Sequence, residues 1–226
     1  MPDCESFKQK YIALEKLKIK LLAFPEAPDA VYENAIGRID KLISPINYTL
    51  SENNPDALFF LSGGSEQSAV KQVSEGRFYI LIGSCHDNAY ASATEVKAYL
   101  NGLNIRSVLL DEENPDTAAF LSSFIAVKQA LKKLNGKKLG LIGKVSDWLI
   151  SSSVPSALLK ERFGINLAVI PWSGLPHFSE FEASGPFLET FSGVTNIDLT
   201  ETARVNEMLT DTIQQYKLDA ITVECF

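Results

Sequence analysis

Apolar residues fall along this chain in short consecutive runs separated by longer amphipathic segments. The runs cover residues 19–24, 46–50, 57–61, 78–83, 105–111, 138–143, 165–171 and 220–226. Most are apolar at successive positions, not alternate ones. Strands read this way when both faces of their sheet are covered, as in parallel α/β architectures.

The intervening segments carry helix signals. Asn114 and Pro115 offer an N-cap and a first-turn proline, Phe120, Leu121, Phe124, Val127, Leu131 and Leu134 follow at helical spacing, and Gly136 closes the segment. Ser92 and Glu95 have capping-box spacing ahead of Val96, Tyr99 and Leu100. Asp198 and Glu201 open a segment in which Val205, Leu209, Thr212, Ile213 and Tyr216 share a face. Gly164 ends a short helix over residues 157–163.

Five strand–helix repeats fill residues 18–134, enough for a small doubly wound domain. A second α/β domain is expected over residues 137–226, with three strands and an irregular stretch at 173–196 rich in Gly, Pro, Ser and Phe. The last run reads as a buried strand with nothing after it. The second domain therefore reads as incomplete, and the chain as a fragment.

Composition narrows the class. An apolar fraction of 46% with 22% charged residues is that of a folded globular protein. The net charge is −7 and both halves are acidic, so no basic face is set aside for phosphate backbones, and nucleic acid is not an expected partner. No run approaches membrane-spanning length, and the polar N-terminus does not read as a secretory leader. The cysteines, Cys4, Cys85 and Cys225, show neither a disulfide framework nor Cys-x-x-Cys spacing. A reducing, cytoplasmic setting is expected.

Four loops at strand ends hold candidate chemistry. Ser62-Gly63-Gly64-Ser65-Glu66 suits an anion or a sugar hydroxyl, or is a tight turn with Ser65 as N-cap. It lacks a Walker lysine and a G-x-G-x-x-G pattern. Gly83-Ser84-Cys85-His86-Asp87-Asn88 gathers a thiol, an imidazole, a carboxylate and an amide. These groups can bind hydroxyls or move a proton, or they form a polar loop in which Asp87 or Asn88 caps backbone. Trp148, with Ser146 and Asp147, offers an aromatic face for the C–H side of a sugar, or is a core tryptophan beside a polar turn. Trp172 and His177 lie in a loop that reads as a lid, an interface or an irregular surface segment. No histidine spacing resembles a zinc or H-E-x-x-H site.

Read together, these segments resemble proteins of the L-fucose/L-arabinose isomerase-like family. Ser62 to Glu66 is similar to a T-G-G-T-E-like turn. Residues 88–100 (NAYASATEVKAYL) resemble an N-S-x-x-A-x-x-E helix start, with Ala89 where Ser is common. Residues 141–151 (LIGKVSDWLIS) resemble I-G-x-P-S-D-W-L-I, with Val145 for the usual Pro, and residues 220–226 (AITVECF) resemble I-T-V-R-C-F, with Glu224 for Arg. The resemblance implies two Rossmann-like N-terminal domains of an aldose–ketose isomerase, the second truncated relative to the family. It implies a catalytic Mn²⁺ held by residues with no counterpart in these positions, so no cofactor and no metal ligand are assigned to this chain. The implied partners are a small sugar and further copies of the chain, since N-terminal loops of the family reach a neighbour's active site. The candidate substrate contacts are His86, Asp87, Asn88 and Trp148, with Gly64 and Glu66 beside them. A stand-alone sugar-binding or regulatory module and a flavodoxin-like signalling or assembly domain are the alternative readings. Truncation also predicts exposed or self-associating apolar surface around residues 220–226 and at Trp172, Phe178, Phe181, Phe187 and Phe191.

Overall fold

Each apolar run becomes a parallel strand. The structure is a computed structural model that describes residues 15–151, 153–194 and 196–224. The chain divides into two compact units, Met1–Ala130 and Leu131–Phe226. In the first, strands β1 (Leu17–Leu22), β2 (Tyr48–Leu50), β3 (Ala57–Phe60), β4 (Phe78–Gly83) and β5 (Arg106–Asp111) form one sheet in the order β2-β1-β3-β4-β5. All its pairings are parallel. Helices α1 (Asp29–Leu42), α2 (Glu66–Val70), α3 (Ala89–Gly102) and α4 (Pro115–Leu134) alternate with the strands. The architecture is α/β and Rossmann-like, as the apolar pattern predicts.

The period-two geometry of strands explains the consecutive apolar runs. Along β3, Ala57 and Phe59 face one core while Leu58 and Phe60 face another. Along β4, Ile80 and Ile82 join the first core, Tyr79 and Leu81 the second. The first core is closed by Ala35 and Ile39 of α1 and by Leu121 and Ile125 of α4. The second is closed by Ala69 of α2 and by Ala93, Val96 and Leu100 of α3. Each fully buried Leu, Ile or Phe contributes about 1.5–3 kcal/mol of transfer free energy. Tyr79, buried among them, donates its hydroxyl to Gln72 O at 3.4 Å and accepts from Ser74 N at 3.0 Å, so its polar end is satisfied.

The second unit is smaller. β6 (Lys138–Ile142), β7 (Asn166–Ile170) and β8 (Ala220–Val223) pair in parallel in the order β7-β6-β8. They are interleaved with α5 (Ser156–Phe163), α6 (Gly185–Thr190) and α7 (Thr200–Tyr216). Leu218, just after α7, lies against the sheet where Gly140 leaves room, since a Cβ there would come within 2.5 Å of Leu218 Cδ1. Beside Leu139, Leu141, Leu159 and Leu167 remains an open cavity of about 380 Å³. Val169 is 59% exposed and Ile150 fully exposed. Phe191 and Val223 are exposed, whereas Trp172, Phe178, Phe181 and Phe187 are half-buried.

Several boundaries differ from the sequence reading. β1 begins at Leu17 and ends at Leu22, two residues earlier than its apolar run. β2 keeps three residues because Pro45–Asn47 forms a single 3₁₀ turn. The predicted capping box at Ser92 is not a helix start. α3 begins one turn earlier, at Ala89, after Asn88 in the left-handed region (φ 58°). Ser92 is buried inside the helix and meets Ser65 Oγ at 3.0 Å. On α7 the buried residues are Ala203, Met208 and Thr212. Asp198 does serve its start, accepting from Thr200 N at 2.9 Å and from the Thr200 hydroxyl at 2.6 Å. The stretch at 173–196 holds short 3₁₀ turns and α6. Cys4, Cys225 and Phe226 lie outside the described residues. Among those described, no helix is long and apolar enough to cross a membrane.

Candidate functional site

In a parallel sheet, each strand leads into a loop at the same edge. The strand order reverses between β1 and β3, so the loops after them diverge and leave a crevice, the place where ligands bind in open α/β sheets. Here that crevice is a cavity of about 480 Å³, within the range of about 300–1,000 Å³ for small-molecule sites. Its apolar wall is Phe24, Val31 and Leu61. Its polar wall is Ser62, Asp87 and Asn88, with the bare backbone of Gly63 between.

Three loops are stitched together around it. Gly63 N–H donates to Asp87 O at 2.7 Å, and Ser62 Oγ accepts from Phe24 N at 2.9 Å while donating to Gly63 O at 3.0 Å. Gly63 eases this approach, because a Cβ would sit 3.1 Å from Asn88 Cβ, a contact that only a shift of Asn88 would relieve. Asp87 (φ 52°) and Asn88 (φ 58°) both adopt the left-handed conformation, which Asp and Asn tolerate better than other side-chain-bearing residues. Two such residues in succession mark a constrained loop. Ser65 and Asn88 occupy the N-cap positions of α2 and α3 as the turn reading expects, but without its capping hydrogen bonds. Neither side chain caps its helix, and Ser65 Oγ instead donates to Ser62 O at 2.9 Å.

The candidate residues therefore separate. Asp87 and Asn88 line the crevice. Gly64 (φ +75°) shapes its rim near Phe24. Glu66 lies on the opposite side of the turn, in a groove with Gln67, Val70, Glu95 and Tyr99. Its carboxylate accepts its own backbone N–H, the Ser92 hydroxyl and the Gly64 backbone, and is held below the usual carboxylate range. His86 is exposed and does not line the crevice. Trp148 belongs to the second unit, where it is 64% exposed in a turn held by a Lys144 Nζ–Asp147 Oδ2 contact of 3.0 Å. In that unit the more constrained group is Glu224, whose Oε2 accepts from Trp172 Nε1 at 3.1 Å and from Lys144 N at 3.3 Å. Gly143 (φ +85°) makes the room, since a Cβ there would collide with Glu224 and Trp172. His177 has a local role: its Nδ1 accepts from Ser179 N at 3.3 Å while its backbone N–H donates to Glu180 at 3.1 Å.

One residue escapes the sequence reading altogether. Glu113, in the loop after β5, receives Cys85 Sγ on one carboxylate oxygen at 3.2 Å and His86 Nε2 on the other at 3.1 Å. The hydrogen bond to Glu113 pushes the Cys85 thiol above its ordinary pKa. The neighbouring Glu112 is clamped by Arg38 from α1, through Nε at 2.8 Å and a second guanidinium nitrogen. That pairing raises the Arg38 pKa further and fixes the guanidinium 5.3 Å above the Phe59 ring.

Neither models of known protein families nor curated proteins match this sequence.

Proposed function

We propose that this chain is the sugar-holding N-terminal part of an aldose–ketose isomerase resembling L-fucose isomerase, and that the crevice between β1 and β3 receives the sugar. The carrying observation is the 2.7 Å hydrogen bond from Gly63 N–H to Asp87 O. It joins two of the four segments on which the resemblance rests, the Ser62–Glu66 turn and the start of the helix after Asn88, into one wall. The wall has the chemistry a monosaccharide requires. Asp87 accepts from sugar hydroxyls, Asn88 donates and accepts, and Phe24 offers a face to C–H groups. The isomerisation itself needs a carbonyl polarised by a metal and groups that move a proton between neighbouring carbons. Those roles are not assigned to this chain. In this reading the protein works in the cytoplasm as a homo-oligomer.

The test is calorimetric titration of the purified chain with L-fucose, D-arabinose, L-arabinose and their ketoses and alditols, with and without Mn²⁺. Binding of at least one sugar is expected. Asp87→Asn keeps the left-handed backbone and removes the charge, and should weaken that binding about tenfold or more, the worth of one charged hydrogen bond. Absence of binding across the panel overturns the proposal. Metal-dependent conversion of an aldose by the chain alone would overturn its assignment as a sugar-holding part only.

The crevice also supports a second reading, a stand-alone sugar-binding or regulatory module. Its favouring observation is that every lining residue comes from the first unit.

A further inference from the structure

We propose that Cys85, His86 and Glu113 form a binding site for a single divalent transition-metal ion of the zinc class. The three ligand atoms all lie within 4.8 Å of one another. They come from two loops that leave adjacent strands at the same level, because Gly83 of β4 is in register with Asp111 of β5. The loops are tied at their base: Glu112 N donates to Gly83 O at 2.9 Å, and Glu113 N to Asp111 Oδ1 at 2.9 Å. Convergence is therefore built into the sheet.

The spacing fits an ion. Zinc bonds of about 2.0–2.3 Å in a tetrahedron put neighbouring ligand atoms roughly 3.3–3.8 Å apart. The Glu113 oxygens stand 3.2 Å from Sγ and 3.1 Å from Nε2, so small side-chain rotations would admit the ion among them. The donors then select the metal. A thiolate, an imidazole and a carboxylate suit Zn²⁺ and its neighbours, whereas Ca²⁺ and Mg²⁺ take oxygen ligands. On binding, Sγ gives its proton to solvent and coordinates as thiolate. His86 and Glu113 side chains are 73% and 49% exposed, which leaves a fourth position open to water or a ligand. Three protein ligands with one open position is the arrangement of catalytic zinc, not of closed structural sites. The site stands independently of sugar binding.

The experiment uses the untagged chain with Cys4→Ser and Cys225→Ser, so that Cys85 is its single thiol. Titration with Co²⁺ should give one ion per chain, a thiolate-to-cobalt charge-transfer band, and displacement by Zn²⁺. Cys85→Ala should abolish the band, and His86→Ala and Glu113→Gln should each weaken Co²⁺ binding by about tenfold or more. All three side chains are exposed, and circular dichroism checks that the fold is kept. In the unaltered chain, Zn²⁺ should protect Cys85 from alkylation, read on its peptide by mass spectrometry. No thiolate band and no protection, or an affinity unmoved by His86→Ala and Glu113→Gln, overturns the site.

Discussion

The sheet of the first unit is covered on both faces, whereas the sheet of the second leaves apolar side chains in the open. Phe59, midway along β3, is fully buried, but Val169, in β7, is 59% exposed. Five strands flanked by α1 and α4 on one side and α2 and α3 on the other enclose two cores. Three strands offer less surface for helices to close, and the smaller unit buries few large side chains, among them Ile142, Ile170 and Met208. Parallel topology alone does not secure a core. The number of strands sets how much of each apolar run is hidden.

Unfolding measurements can break this contrast, because both tryptophans, Trp148 and Trp172, lie in the second unit. Tryptophan fluorescence follows that unit, and tyrosine circular dichroism follows mainly the first. The largest effect is expected for Phe59→Ala, a loss of about 3–5 kcal/mol in urea titrations followed by tyrosine. Val169→Ala should cost less than about 0.5 kcal/mol in the tryptophan signal. A large cost at Val169 would mean that its face is covered in solution by another copy of the chain.

Two glycines sharpen the comparison at the next scale. In Gly83→Ala the new Cβ meets backbone, 2.9 Å from Tyr90 Cα, which cannot yield without moving α3. A loss of about 1–3 kcal/mol is expected. In Gly143→Ala the strain comes from a positive φ (+85°) and from side chains, Glu224 and Trp172, that can swing aside. A loss of about 1–3 kcal/mol accompanied by shifted tryptophan emission is expected there. Unshifted emission would show that the Trp172–Glu224 hydrogen bond does not form.

The smallest effects separate the units by pH. Burial, with a hydrogen bond to Asp40, pushes the Tyr48 phenol up to about 12. Its contribution is complete below the ordinary tyrosine pKa of about 10 and is lost as pH rises through about 12. Asp219 is held below the usual carboxylate range by Lys137 and by the Lys138 backbone N–H. Its contribution is present above about pH 3.9 and is lost as pH falls through the depressed value. Tyr48→Phe should flatten the alkaline limb of thermal stability in the tyrosine signal, and Asp219→Asn the acid limb in the tryptophan signal. Unchanged limbs would remove these groups from the account.

Strands were the most legible features, because a sheet covered by helices demands consecutive apolar residues whatever its neighbours. Side-chain roles were less so. The Ser92–Glu95 spacing mimics a helix start, yet Ser92 is one turn inside α3 and turned toward Ser65. The stripe read on α7 is buried at Thr212 and only half-buried at Val205, Leu209, Ile213 and Tyr216, since a narrow sheet cannot cover it. The Ser62–Glu66 and Gly83–Asn88 loops were recognisable as strand-end loops, but not that Asp87 and Asn88 face the crevice while Glu66 turns away. Glu113 was invisible because only the register of β4 with β5 brings it to His86. The Glu112–Glu113 pair directly after a strand was its one signal.

That shared strand direction has an electrostatic consequence. Helices α1, α3 and α4 all begin at the edge where the strands end, so their unpaired N–H groups place positive partial charge there, roughly half an elementary charge per helix. Asp87, Asp111, Glu112 and Glu113 gather at the same edge with Arg38 as an opposing cation. The backbone thus acts as a diffuse counter-ion beside a crowd of carboxylates, a role that no single side chain fills.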